Sequence, residues 1–347
     1  MSVRLSNPMS AVVWVAFLAP ASLLGAWADR SFGAAVFVLG AATMISKPSP
    51  WDARKPSATA LKLFLLLELL YAVSALYSAG FNGSQFGAAG YLELPRYVVL
   101  GAFAVYLIRH FDGRVRGALE WAMTAALYAA LLFPAADPQG YVSVMTLCWL
   151  LFFSSLRLRY LHAATALAVV ALGGEPRAWA AAAVVVGAAL ALGFHQELSR
   201  RGARFPARWA AAVAASLAAS AALWARTHPA AAAALRAFPE GAALQLIRRS
   251  PIFGWGPIES AAVVGRSQYL LWILKGGILG ACLIAAGMLL AGYRLLRSVR
   301  GHPRRFAGAA AFLASVALML TAGRFLESYR LFFLTAFFMA GMSGAGR

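Results

Sequence analysis

Apolar runs long enough to form membrane-spanning helices recur along the whole of this chain. Windows of about 15–22 residues hold almost only hydrophobic side chains, and a helix of about 20 such residues crosses the hydrocarbon core of a bilayer. Hydrophobic residues make up 62% of the chain, against about 45–50% in an ordinary soluble domain. Unbroken runs also exclude a transmembrane barrel, whose strands alternate apolar with polar residues. The sequence therefore predicts an all-α fold, a polytopic transmembrane helical bundle.

About 12 helices account for the apolar runs, and they make residues 1–347 a single integral membrane domain. We expect them at 9–28, 32–46, 58–79, 94–108, 117–134, 141–156, 160–172, 178–194, 208–225, 268–292, 307–322 and 330–344. The longest segment between two helices is a loop at 226–267.

The basic residues that give the chain its net charge of +19 are concentrated in alternate loops between the predicted helices. Lysine and arginine number 19 on one side of the predicted membrane and 10 on the other, with Lys62 and Lys275 inside helices. The positive-inside rule assigns the richer side to the cytoplasm. Both termini are then cytoplasmic, and the loop 226–267 is extracytoplasmic. Because this charge orients the helices in the lipid bilayer, it does not indicate nucleic acid as a partner.

Arginines are concentrated in the loop 226–267, on the side where the topology makes them scarce. Arginine binds phosphate oxygens with a planar fork and stays charged in any environment. Only Glu240 and Glu259 are available there to pair with them. We interpret the loop as an anion site, and the alternative is a solvated loop with accidental charge. The arginines after residue 230 are Arg236, Arg248, Arg249 and Arg266.

Another extracytoplasmic arginine, Arg177, follows the turn Gly173-Gly174-Glu175-Pro176. It begins a predicted helix, and the N-terminus of a helix adds its own backbone donors to a bound phosphate. A position close to the membrane plane suits a phosphate that is carried on a lipid. The alternative is a plain turn whose arginine extends towards water.

The run PIFGWGP at 251–257 cannot form a regular helix. Gly254 and Gly256 permit unusual backbone angles, and a proline fixes the chain on each side. Trp255 is either an anchor at the membrane interface or a stacking face for a sugar ring.

Two charged residues fall deep inside predicted helices. Glu68 and Lys275 each lie about ten residues from a helix end, where a charge costs at least about 2.5–3.5 kcal/mol. Each should therefore face protein or water, and the two form a candidate ion pair. The sequence has no cluster of His, Cys, Asp and Glu with metal-ligand spacing, so we expect neither a metal nor another cofactor.

Four short motifs lie between residues 236 and 283: Arg236, Pro251-Ile252-Phe253-Gly254-Trp255-Gly256, Gln268-Tyr269-Leu270, and Gly276-Gly277-Ile278-Leu279-Gly280, which opens a helix. This pattern resembles the O-antigen polymerase and ligase superfamily, whose members have many membrane helices and one large periplasmic loop at this place. The run at 173–179 is similar to the arginine-bearing entry to an earlier helix of that family. The family usually has a small hydroxyl residue where this chain has Glu175 and Pro176.

The resemblance implies a glycosyltransferase in the bacterial inner membrane. The donor would be an oligosaccharide on undecaprenyl diphosphate, the acceptor a second glycan, and a chain-length regulator a further partner. Arg177 and Arg236 would bind the diphosphate, with Arg249 and Arg266 in support. The general base is open between Glu240, Glu259 and His228. The substrate-binding residues expected beside them are Arg248, Arg249, Gly254, Trp255, Gly256, Gln268 and Tyr269.

Two alternatives to this polymerase stay open. A ligase would transfer finished glycan to lipid A core or to a protein. The ligases have a histidine where this chain has Arg266, which favours a polymerase. A lipid or polysaccharide transporter would show two related halves and discontinuous helices, and no internal repeat is visible in the sequence.

Overall fold

The computed structural model describes residues 113–133, 137, 139–154, 156–173, 175–200, 242–255 and 268–321, together with Val73 and single residues between 331 and 342. This part of the chain forms seven helices and no sheet, as the sequence predicts. They are α1 Gly113–Leu132, α2 Tyr141–Phe152, α3 Arg159–Gly173, α4 Pro176–Arg200, α5 Ala242–Arg249, α6 Gln268–Val299 and α7 Pro303–Met319. Six of them overlap predicted spans. The helix α5 lies inside the predicted loop 226–267.

Two of these helices are long and apolar enough to cross a membrane. They contain the segments Pro176–Gly193 in α4 and Tyr269–Val299 in α6. The helices α2 and α3 are apolar but short. At about 1.5 Å per residue, the 12 residues of α2 extend only about 18 Å, well below the thickness of a hydrocarbon core.

The short helix α2 is the centre of the described core. Of its 12 residues, 11 are buried, and it packs against α3, α4 and α7. The approach to α7 is close because Gly308 has no side chain: a Cβ there would lie 2.5 Å from the Phe152 Cβ. The Cys148 thiol donates to the Gly308 carbonyl oxygen at 3.3 Å, and the Trp149 ring stacks on Phe153.

The two ends of α2 carry opposite charges. At its N-terminal end Asp137 accepts hydrogen bonds from the backbone N–H and the hydroxyl of Ser143 at 2.8 and 2.7 Å. At the C-terminal end, Arg304 donates to the Leu151 carbonyl at 2.8 Å and Arg116 to the Phe153 carbonyl at 2.7 Å. These contacts complement the helix dipole and satisfy groups that have no partner inside the helix.

Basic residues from three predicted cytoplasmic loops meet at the C-terminal end of α2. Besides Arg116 and Arg304, Arg159 lies near enough to Arg304 to affect it. The pKa of Arg304 is lowered, first by burial and then by the positive charge of Arg159. Arg177 lies near the opposite end of α2, because it is in electrostatic contact with Tyr141. The described part of the bundle therefore separates these residues as the predicted topology does.

The helix α6 is broken at Gly277, which has φ 62° and ψ −168°. A straight helix would place Tyr269 about 34 Å from Gly292. However, the Tyr269 hydroxyl donates to the Ala317 carbonyl at 2.9 Å, and Gly292 faces Leu313, which lies one turn before Ala317. These contacts can coexist only if the axis of α6 turns by about a right angle or more at Gly277.

The predicted span 268–292 begins at Gln268 as expected, but the helix is interrupted at Gly277 and continues to Val299. The segment before Gly277 is too short to cross a membrane. The uninterrupted part runs from Ile278 to Val299 and is about 33 Å long, which is sufficient to cross a hydrocarbon core of about 30 Å. The predicted helix start at 268 is therefore confirmed, whereas the helix extends past the predicted end at 292.

Candidate functional site

Arg177 lies in the first turn of α4. Pro176 begins this helix, a position that suits proline because a backbone N–H would have no partner there. The Glu175 carbonyl accepts a hydrogen bond from the Trp179 N–H at 3.2 Å. The chain therefore turns into the helix at Glu175, and Arg177 lies at the positive end of the helix dipole, where backbone N–H groups favour anions.

The guanidinium of Arg177 is largely buried and only partly satisfied. Its Nη1 donates to Glu175 Oε1 at 3.3 Å, and the two side chains are 19% and 25% exposed. Its Nε is buried and has no hydrogen-bond partner within 3.5 Å among the described residues, although the Tyr141 side chain lies close to the guanidinium. Buried donors without an acceptor are uncommon in proteins, so this nitrogen has capacity for an incoming one.

Tyr141 is a neighbour of Arg177, and Asp137 is a neighbour of Tyr141, and neither residue was predicted from the sequence. The Tyr141 side chain is in electrostatic contact with Arg177, Glu175 and Asp137. The Asp137 carboxylate is occupied by the N-terminal end of α2. One sequence feature could have predicted a helix start here, namely the turn sequence Asp137-Pro138-Gln139-Gly140 before an apolar run.

Gly140 has a left-handed backbone conformation and lies where three helices pack together beside Arg177. Gly140 has φ 71°, and a Cβ there would lie 3.4 Å from Val170 Cα and 3.5 Å from Ala178 Cβ. The beginning of α2, the end of α3 and the beginning of α4 therefore meet at Gly140. This packing fixes the backbone beside Arg177. We call Asp137, Tyr141, Glu175 and Arg177 the arginine corner.

The segment Ser250–Trp255 fits into the break in α6 and forms hydrogen bonds with both sides of it. The Trp255 N–H donates to the Leu274 carbonyl at 2.7 Å. The Pro251 carbonyl accepts from the Ile278 N–H at 2.9 Å. The two helix ends created by the break, one rich in carbonyls and one rich in N–H groups, are therefore both capped by the same segment.

Gly254 and Gly277 make this approach possible. Gly254 has φ 72°, and a Cβ there would lie 2.7 Å from the Leu274 carbonyl oxygen and even closer to the Gly277 nitrogen. A Cβ at Gly277 would collide with the Ile252 carbonyl. Positive φ also favours glycine at both positions. We call the segment Ser250–Trp255 together with the break at Gly277 the glycine interlock.

The predicted non-helical run at 251–257 is confirmed as far as Trp255, the last residue of it that the structure describes. Ser250 Oγ donates to the Gly254 carbonyl at 2.7 Å and stabilises the turn. The indole N–H of Trp255 donates to the Leu246 carbonyl at 2.8 Å near the end of α5. The structure thus gives Gly254 and Trp255 roles in packing, whereas their roles in substrate binding stay predictions.

The other predicted site residues are distributed as follows. Arg248 and Arg249 lie in the last turn of α5 and are exposed. Gln268 begins α6, and Tyr269 is bonded to Ala317 near the C-terminal end of α7. Lys275 is buried beside the break, as expected for a charge that should face protein. The predictions that fall outside the described residues are those for Glu68, His228, Arg236, Glu240, Gly256, Glu259 and Arg266.

Arg177 and Tyr269 lie at the same end of α7. Ser315 of α7 donates to the Ala181 carbonyl at 3.2 Å, one turn after Arg177 in α4. Tyr269 reaches Ala317 half a turn further along α7. Hence the arginine corner and the beginning of α6 both lie towards the C-terminal end of α7.

Neither a protein-family model nor a curated protein sequence matches this chain significantly. The resemblance to the O-antigen polymerase and ligase superfamily therefore rests on the short motifs at 173–179 and 236–283 alone.

Proposed function

We propose that this chain is a membrane glycosyltransferase that polymerises oligosaccharide repeats carried on undecaprenyl diphosphate at the outer face of a bacterial inner membrane. The proposal includes a polytopic bundle of about 12 helices with both termini in the cytoplasm. The observation that carries it is Arg177, a largely buried guanidinium at a helix N-terminus with a buried N–H that has no acceptor among the described residues.

The distribution of arginines supports an extracytoplasmic position for Arg177. Arg116, Arg159 and Arg304 meet at the C-terminal end of α2, and Arg177 lies near its N-terminal end. The positive-inside rule favours the cytoplasm for the cluster of three. The outer face has no supply of nucleotide sugars, so a glycosyl donor there must arrive on a lipid. A lipid-linked diphosphate combines an anionic group with a position at the membrane surface.

The chemistry requires stabilisation of a leaving group. An acceptor hydroxyl attacks the anomeric carbon and loses its proton to a base, while the bond from that carbon to the diphosphate oxygen breaks. The configuration at the anomeric carbon inverts. Negative charge grows on the departing diphosphate, and a fixed guanidinium with helix N–H groups stabilises it without reorganising. Arg177 would supply this charge, with Arg236, Arg249 and Arg266 as the expected partners.

A transporter is the second candidate, because discontinuous helices bind substrates in many transporters and α6 is discontinuous at Gly277. In those proteins the backbone groups at the broken ends are available to the substrate. Here Ile278 N–H and the Leu274 carbonyl are bonded to Pro251 and Trp255. The break in α6 is therefore internally capped, which favours a structural role for it.

The proposal is tested by deleting the gene in its host and separating the surface glycans on a gel. A polymerase predicts that the ladder of long chains collapses to a single repeat on an otherwise normal acceptor. Long chains that accumulate on the carrier lipid beside a bare acceptor would indicate a ligase instead. An unchanged ladder would contradict both kinds of transferase.

A further inference from the structure

We propose that Glu175 is a specificity-determining residue, an internal anion that keeps singly charged phosphodiesters away from Arg177 and is displaced by a diphosphate. This inference rests on the proposed function, because it concerns the choice of ligand at the same arginine. Glu175 is also the point at which the chain departs from the hydroxyl residue expected from the resemblance.

Glu175 is bonded to one terminal nitrogen of the Arg177 guanidinium. Glu175 Oε1 accepts from Arg177 Nη1 at 3.3 Å, a single and rather long contact and not a bidentate pair. The two side chains keep 19% and 25% of their surface exposed, whereas Arg177 Nε is fully buried. An anion that binds Arg177 through Nη1 would therefore have to displace Glu175.

The other acidic and phenolic groups of the corner cannot take this role. Asp137 is committed to the N–H groups of Val142 and Ser143 at the start of α2. Tyr141 is 1% exposed and lies on the inner side of the corner. Glu175 is thus the carboxylate that directly neutralises Arg177 among the described residues.

The charges of the competing ligands decide which of them can displace Glu175. The headgroup of an anionic phospholipid such as phosphatidylglycerol carries one negative charge, as the carboxylate does, so the exchange gains little Coulombic energy. A diphosphate carries more charge and offers several oxygens to Nη1, Nε and the helix N–H groups. An arginine at the surface of a membrane is surrounded by phospholipid headgroups. Glu175 would therefore reserve Arg177 for the scarcer diphosphate lipid.

The test measures binding of farnesyl diphosphate to the purified full-length protein in nanodiscs. One set contains phosphatidylcholine only, and another contains increasing phosphatidylglycerol, whose headgroup carries a single negative charge. For the wild-type protein we expect phosphatidylglycerol to weaken binding by less than about twofold. Glu175→Gln keeps the size of the side chain and removes its charge. In this variant we expect binding about tenfold tighter without phosphatidylglycerol, and pronounced competition when that lipid is added.

Two outcomes would overturn the inference. Weaker binding by Glu175→Gln in phosphatidylcholine would mean that Glu175 only orients Arg177. Unchanged affinity together with unchanged competition would mean that Glu175 does not control the site. Glu175→Ser provides a second variant without the charge, and thermal unfolding verifies that each protein is folded.

The same experiment separates this inference from the proposed function. Arg177→Gln should abolish measurable binding of farnesyl diphosphate in both lipid compositions. If it leaves binding unchanged, Arg177 is not the phosphate ligand and the proposed site is wrong, whatever the Glu175 variants do. If Arg177→Gln abolishes binding and the Glu175 variants behave as the wild type, only the inference about specificity is wrong.

Discussion

The arginine corner and the glycine interlock both contain helix ends inside the protein, where backbone N–H and carbonyl groups need hydrogen-bond partners. The two regions provide those partners in opposite ways. At the corner, side chains satisfy the helix: Asp137 caps α2, and Tyr141 and Glu175 surround Arg177. At the interlock, backbone groups of the segment Ser250–Trp255 form hydrogen bonds with the two ends of the broken helix α6. The two backbones can approach this closely because Gly254 and Gly277 have no side chains.

This difference indicates where a substitution can change ligand binding without changing the fold. The corner keeps a charged group with a buried N–H that is not satisfied by described residues, and a single substitution can change its charge without moving the backbone. At the interlock the Leu274 carbonyl and the Ile278 N–H are paired with the segment Ser250–Trp255, so substitutions there change the structure first. We therefore propose that the corner recognises the ligand and that the interlock stabilises the fold.

The largest effect on stability is expected from Gly277→Ala. A Cβ at Gly277 collides with the Ile252 backbone, and the positive φ adds strain, so we expect a loss of at least about 3 kcal/mol. Thermal or denaturant unfolding in detergent measures it. The control is the neighbouring Gly276→Ala, because a Cβ at Gly276 meets nothing within 4 Å. Equal stabilities of the two variants would show that the interlock is not formed.

A smaller loss of stability is expected at the corner. Asp137→Ala removes the cap of α2 and should cost about 1–2 kcal/mol. Ser143→Ala removes one hydroxyl contact to Asp137 and leaves the backbone contact in place, so it should cost about 1 kcal/mol or less. Unfolding of both variants under the same conditions provides the comparison. If Ser143→Ala cost as much as Asp137→Ala, the carboxylate would not be capping the helix.

The sequence predicted most of the described helices and less of the corner. Helix positions follow from apolar runs because burial in lipid or protein demands them, and the turn at 251–255 follows from Pro251 and Gly254. The break in α6 was not predicted, because what distinguishes Gly277 from the neighbouring Gly276 is the approach of Ile252, a residue distant in sequence. The contact of Tyr141 with Arg177 joins residues 36 positions apart, and a local sequence pattern does not predict contacts between residues so far apart in the chain. The helix α5 was missed because it is short and lies among charged residues.

The central claim is that Arg177 is needed for glycan polymerisation, and complementation of the gene deletion tests it most directly. The strain is supplied with the wild-type gene, with Arg177→Ala, or with Arg297→Ala, a control that removes an exposed arginine near the opposite end of the bundle. With equal amounts of membrane protein, we predict that Arg177→Ala lowers polymer by at least about 100-fold and that Arg297→Ala restores the full ladder. A normal ladder with Arg177→Ala would contradict the account.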